Sequence, residues 1–173
     1  DPESGAQVVR LTSAAAWSHN IYCEQPYGSP DGRRVLVARG YDLFALHRQL
    51  LVADLETRRL TLIEPDVPTE AVAHFPWSEW VYYVMHDGSL RRFSLVTFQR
   101  QLVGQPGTLP TPPDAYLQSI TPDDRLIICD EKMDGDRLRS FALDLTTGER
   151  RVLCDDPENL NPHSQCGPPP GRR

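Results

Sequence analysis

Apolar positions in this chain come in short runs, rich in Val, Ile, Leu and Tyr, and few of them recur at a helical period. Such runs favour β-strands. They fall near Val35–Ala38, Leu50–Asp54 and Leu60–Ile63, then Val81–Met85 and Leu90–Phe93, then Leu126–Cys129 and Leu138–Leu143. Tyr41–Arg48 alone could pass as a helical turn, and we read it as a loop. Polar turn phrases punctuate the runs. Asp54-Leu55-Glu56-Thr57, Ser94-Leu95-Val96-Thr97 and Asp144-Leu145-Thr146-Thr147 are variants of one phrase, and Ser4-Gly5 matches the later Thr147-Gly148. From Ser4 to Thr147 is 143 positions, three steps of about 48.

A second phrase runs out of phase with the first. Ser29-Pro30-Asp31-Gly32 and Thr121-Pro122-Asp123-Asp124 each precede an apolar strand, and Pro30 and Pro122 are 92 positions apart, two steps of 46. A degenerate copy lies between them at Pro76-Trp77-Ser78. Pro presets φ for the first turn position, and Asp or Gly tolerates the next. Asp87-Gly88 and Asp134-Gly135 mark tight hairpins. Short strands repeating at this interval are the signature of β-propeller blades.

The expected fold is therefore all-β: one partial β-propeller domain over residues 1–173. It has about three four-stranded antiparallel blades, near residues 19–63, 71–103 and 115–154, plus pieces of two more. The first blade is expected to open with a strand near Ile21–Cys23. Residues 7–12 are expected to form a strand that begins or closes the ring, and residues 161–173 the start of a truncated fourth blade. On this reading the chain is a fragment of a larger ring. Its open blade edges would then invite self-association.

Composition sharpens the picture in three places. Sixteen Pro and eleven Gly suit many turns and few helices. A net charge of −6 argues against a nucleic-acid partner, and no apolar run approaches a membrane span. Cys23, Cys129, Cys154 and Cys166 include no C-x-x-C pair, so they read as isolated thiols of a cytoplasmic protein.

The opening run Asp1-Pro2-Glu3-Ser4-Gly5-Ala6-Gln7-Val8-Val9-Arg10-Leu11-Thr12 is followed by Ser18-His19-Asn20-Ile21-Tyr22 and the Pro30 turn. With Arg139–Glu149 and Asn161-Pro162-His163-Ser164-Gln165, it resembles the amino-terminal half of the bacterial oligogalacturonate lyases. That family has seven-bladed propellers that degrade short pectin fragments by metal-assisted β-elimination. The resemblance implies manganese, or a similar divalent ion, held by three His and a Gln. The last three of those ligands fall in a Gln-x-x-His-x-His run, absent here, and the catalytic His and Arg also lie later in the family. No catalytic residue, metal ligand or cofactor is therefore assigned to this chain, and it is expected to be inactive alone. The alternative is a noncatalytic propeller segment of the translocation-protein type, acting as a binding platform.

The candidate substrate contacts are His19 and Asn20 at the start of the first blade, and His163 at the equivalent start of the fourth. All three are expected at the central funnel, facing an anionic sugar. His47 and Arg48 read as a solvated loop, and His74 and His86 as structural or exposed. Trp17, Trp77 and Trp80 could stack on sugar rings, although blade packing accounts for Trp77 and Trp80. The Arg pairs 33–34, 58–59, 91–92 and 150–151 read as a solvated rim.

Overall fold

Among the described residues the apolar runs become twelve strands in three sheets. The computed structural model describes residues 3–12, 16–21, 26–40, 47–68, 70–111, 114–135, 137–159, 164 and 166. The first sheet contains β1 (Trp17–His19), β2 (Arg34–Gly40), β3 (His47–Asp54) and β4 (Arg59–Pro68). The second contains β5 (Val72–His74), β6 (Trp80–Val84), β7 (Leu90–Ser94) and β8 (Arg100–Gly104). The third contains β9 (Ala115–Ile120), β10 (Leu126–Lys132), β11 (Leu138–Asp144) and β12 (Arg150–Cys154). Each sheet is an antiparallel meander in chain order, and no helix occurs among the described residues.

Strand alternation explains how the sheets stack. Successive side chains point to opposite faces, so the second sheet is apolar on both. Val81, Tyr83, Phe93 and Leu95 pack with Leu36, Leu50, Val52 and Ile63 of the first sheet. Tyr82, Val84 and Leu90 pack with Ile127, Cys129, Phe141 and Leu143 of the third. β5 is buried throughout whereas β12 is exposed throughout. β9 lies beside β5, and the Leu117 N–H donates to the Glu70 carbonyl at 3.0 Å. In the second and third blades the first strand is thus innermost and the fourth outermost, and the three sheets are blades of a partial β-propeller.

The repeated turn phrase has a physical basis. Asp54 Oδ1 accepts from the Glu56 and Thr57 N–H groups at 3.1 and 2.8 Å, and Asp144 Oδ1 does the same for Thr146 and Thr147 at 2.8 and 3.2 Å. In the second blade, Ser94 Oγ accepts from Val96 and Thr97 at 3.1 and 2.8 Å. Each cap has a partner from the preceding strand region. Arg33 Nε reaches Asp54 at 2.9 Å and Arg125 Nε reaches Asp144 at 2.9 Å, but Ser94 Oγ donates to Glu79 at 2.6 Å. Each turn closes through a residue at positive φ: Arg58, Phe98 and Gly148. The third and fourth strands of every blade shift register, at Leu50/Leu51, Leu90/Arg91 and Ser140/Phe141. Such bulges increase the local twist of the outer strands.

The Asp87-Gly88 hairpin joins β6 to β7, and its glycine is required twice over. Gly88 sits at φ +75°, and an added Cβ would lie 2.6 Å from the Leu109 carbonyl oxygen. Gly88→Ala is expected to cost about 1–2 kcal/mol for the left-handed backbone and about 1–3 kcal/mol more for the collision. Gly135, at φ +73° with open space around it, should show only the first cost when changed to Ala. Thermal melts of the two variants check this. Equal losses would remove the packing role of Leu109.

Several strands start elsewhere than the sequence pattern suggests. The first strand is Trp17–His19 instead of Ile21–Cys23, because β2 runs on to Gly40 and pairs Trp17 with Gly40 and His19 with Ala38. Ile21 packs against the first interblade core instead, and residues 22–25 lie outside the described set. Residues 7–12 are not a strand; Leu11 packs beside Val37, Leu51 and Ala53 on the far face of the first sheet. His47 and Arg48 are not loop residues, because they pair with Pro68 and Val67 and so extend β3 and β4. His163, with most of the expected fourth blade, lies outside the described residues.

Candidate functional site

β1 places His19 and Trp17 on one face by strand alternation. His19 pairs with Ala38, which pairs with Leu50, so this face is the one turned toward the second blade. His19 Nδ1 donates to the Asn20 carbonyl oxygen at 2.5 Å. That bond leaves Nε2 as the acceptor of a neutral ring, and among the described residues this buried atom has no hydrogen-bond partner. Burial lowers the His19 pKa, and the Arg48 charge adds to this against the Asn20 bond. The ring is therefore neutral near pH 7. Asn20 is exposed beside it, and Trp17 is exposed on the same strand.

Arg48 also lines a cleft of about 320 Å³ with Arg39, Gly40, Gln49, Pro65 and Asp66. Arg39 Nε approaches Ser18 Oγ at 3.5 Å. Two arginines against the single Asp66 carboxylate leave this lining with one excess positive charge, although the chain is acidic overall. His47 stands at the same cleft, with Asp66 Oδ1 2.9 Å from its Nδ1. His86, which follows β6 in the next blade, brings Nε2 to 3.1 Å from the same oxygen. Desolvation pushes the Asp66 carboxyl up, but the His47 and His86 bonds and charges hold it below its usual range. The three donor atoms lie within 4.8 Å of one another.

Of the expected substrate contacts, His19 lies within electrostatic reach of Arg48, a residue expected in a loop, and Asn20 follows it in the chain. The structure also gathers two of five scattered histidines around Asp66. No local motif announces that cluster: Asp66 is 19 positions after His47 and 20 before His86. Only the strand pairing and blade stacking bring them together.

The remaining candidates serve the fold. His74 is buried at the end of β5, with its ring 5.7 Å from that of Tyr27. Trp80 carries the Arg92 guanidinium 4.1 Å from its ring, and Trp77 covers Gly28. The arginine pairs are not uniformly solvated. Arg34 Nη1 donates to the Leu95 carbonyl at 2.7 Å across the blade boundary. Arg91 reaches Glu64 at 3.3 Å, where Tyr83 also donates at 2.9 Å. Both arginines tie the first blade to the second. Cys129, Cys154 and Cys166 are free thiols, and Cys23 lies outside the described residues. No helix of the described residues is long and apolar enough to cross a membrane.

These sheets define a β-propeller, and solved propellers share the arrangement. The chain is similar to an oligogalacturonate lyase from Vibrio parahaemolyticus, with a TM-score of 0.59 and 18% identity over 84% of this chain and 42% of that one. It is also similar to an oligogalacturonate lyase in complex with manganese, with a TM-score of 0.61 and 22% identity over 89% of this chain and 45% of that one. TolB from Acinetobacter baumannii matches with a TM-score of 0.55 and 15% identity over 83% of this chain and 33% of that one. The chain thus spans less than half the length of each. No protein-family model and no curated protein matches the chain.

Proposed function

We propose that this chain is part of a propeller that binds short galacturonate oligomers in the manner of the oligogalacturonate lyases. His19, Asn20 and Arg48 contact the anionic sugar, and His163 adds a further contact from the fourth blade. The observation that carries this reading is His19 Nε2, a buried acceptor without a hydrogen-bond partner among the described residues, with the Arg48 charge near enough to lower the pKa of its ring. A sugar hydroxyl donates to the ring nitrogen. The Arg48 guanidinium takes the uronate carboxylate, the planar pairing it is best shaped for. Trp17 offers an exposed indole face to a sugar ring. Fold similarity to oligogalacturonate lyases and the likeness of the opening run both support the assignment.

β-Elimination needs a base for the proton α to the carboxylate, a cation to neutralise that carboxylate, and help for the departing oxygen. The Gln-x-x-His-x-His run that holds manganese in the family is absent here, and His47, Asp66 and His86 are a different donor set. The part proposed for this chain is therefore sugar binding.

Trigalacturonate titrated calorimetrically into the chain is expected to bind, and a neutral trisaccharide is not. Arg48→Ala should weaken binding at least about tenfold, the loss of one charge-assisted pair, and His19→Ala by a smaller factor. No unsaturated, ultraviolet-absorbing uronate should form, with or without manganese. Equal affinity for charged and neutral sugars, or none for either, would overturn the reading in favour of a noncatalytic binding platform.

A further inference from the structure

His47 opens β3, Asp66 lies in β4 and His86 follows β6, so two blades contribute to one cluster. Both imidazoles address a single carboxylate oxygen, at 2.9 and 3.1 Å, and their ring centroids are 4.6 Å apart. Around an ion with bonds of about 2.1 Å, neighbouring donor atoms lie roughly 3.0–3.4 Å apart in octahedral or tetrahedral shells. Two edges of this triangle are already near that length, and the third lies within 4.8 Å. A side-chain rotation closes it without moving a strand. The three side chains are 62%, 52% and 42% exposed, so an ion can enter from solvent and keep water on its open positions.

From this geometry we infer that His47, Asp66 and His86 form a binding site for a divalent transition-metal ion. The ion would clamp the first blade to the second. Two imidazoles and one carboxylate suit zinc and its first-row neighbours, whereas magnesium and calcium prefer all-oxygen shells. Zinc should bind more tightly than manganese, following the general affinity order of such sites. The ion replaces hydrogen-bonded protons between groups that already converge, so little ordering is required of the fold. Neither His19 nor Arg48 is a ligand, and this site stands or falls separately from sugar binding.

The test uses the purified chain stripped with chelator and titrated calorimetrically with zinc, manganese and magnesium chlorides. One equivalent of zinc should bind with micromolar affinity, manganese at least about tenfold more weakly, and magnesium not at all. Zinc should raise the melting temperature and shift the imidazole NMR signals of His47 and His86. His47→Ala, His86→Ala and the near-isosteric Asp66→Asn should each weaken zinc at least about tenfold, while Cys154→Ser leaves it unchanged. These side chains are exposed, so the zinc-free variants should melt like the parent. Should an alanine variant not fold, Asp66→Asn and the NMR shifts decide. Absent zinc binding, unchanged affinity in the three ligand variants, or loss of it in Cys154→Ser overturns the site.

Discussion

Stability is expected to fall steeply as the pH drops from 6.5 to 4.5, with His74 as the cause. The ring is fully buried, its Nδ1 has no hydrogen-bond partner among the described residues, and Ser78 Oγ is a distant 3.5 Å from Nε2. Desolvation lowers its pKa from 6.5 to about 3. The unfolded chain therefore binds a proton in this range that the folded chain refuses. Stability is complete above pH 6.5 and lost progressively toward pH 3, at about 1.4 kcal/mol per pH unit. By pH 4.5 the loss is on the order of 3 kcal/mol. His19, lowered in the same direction but partly exposed, adds less. Asp54, held at about 2 by its turn hydrogen bonds, begins to contribute only at more acid pH. Urea unfolding at half-unit pH steps measures the slope. His74→Leu should flatten it even where it changes the absolute stability. An unchanged slope in that variant would acquit His74.

Phe141→Ala should be more damaging still at neutral pH. The ring is 1% exposed and packs in the core that joins the second and third blades, with the Arg150 guanidinium 3.8 Å from its centroid. Truncating a buried Phe costs about 3–5 kcal/mol, and whole domains are stable by about 5–15 kcal/mol. A fall in melting temperature of roughly 10 °C or more follows. The control is Val152, the cross-strand partner of Phe141, which is 53% exposed on the outer strand. Val152→Ala should change stability by less than about 0.5 kcal/mol. Similar losses in both variants would mean that the interblade core is not where the stability resides.

The strands and turns were legible because each is local. A cap at Asp54, Ser94 or Asp144 must sit just before the N–H groups it satisfies, and a Pro-Asp turn must precede the strand it launches. Hydrophobic runs then place the four-stranded sheets. Edges were less legible, since β1 is set by how far β2 extends and not by its own apolar content. His19 and Asn20 were expected at the start of a strand at Ile21–Cys23, whereas His19 ends β1 and Asn20 follows it. The nearness of His19 to Arg48 was not legible, because it passes through the pairing of β1 with β2 and of β2 with β3. The His47, Asp66 and His86 cluster needs a third condition, the stacking of one blade on another, which leaves no trace at fixed sequence spacing.

The three capped turns hold one geometry with two charge patterns. In the first and third blades an acid is the cap and an arginine its partner; in the second, serine is the cap and Glu79 the partner. Arg33, Glu79 and Arg125 are 46 positions apart in each step, so they occupy one structural position. Neither change is neutral alone. Serine opposite arginine loses the ion pair, and an acid opposite Glu79 sets two carboxylates against each other. The two positions are therefore epistatic. Any route between the two patterns by single changes therefore runs through a less stable intermediate or requires both changes at once. Once taken, it is hard to retrace, which is how a single chain comes to preserve both solutions side by side.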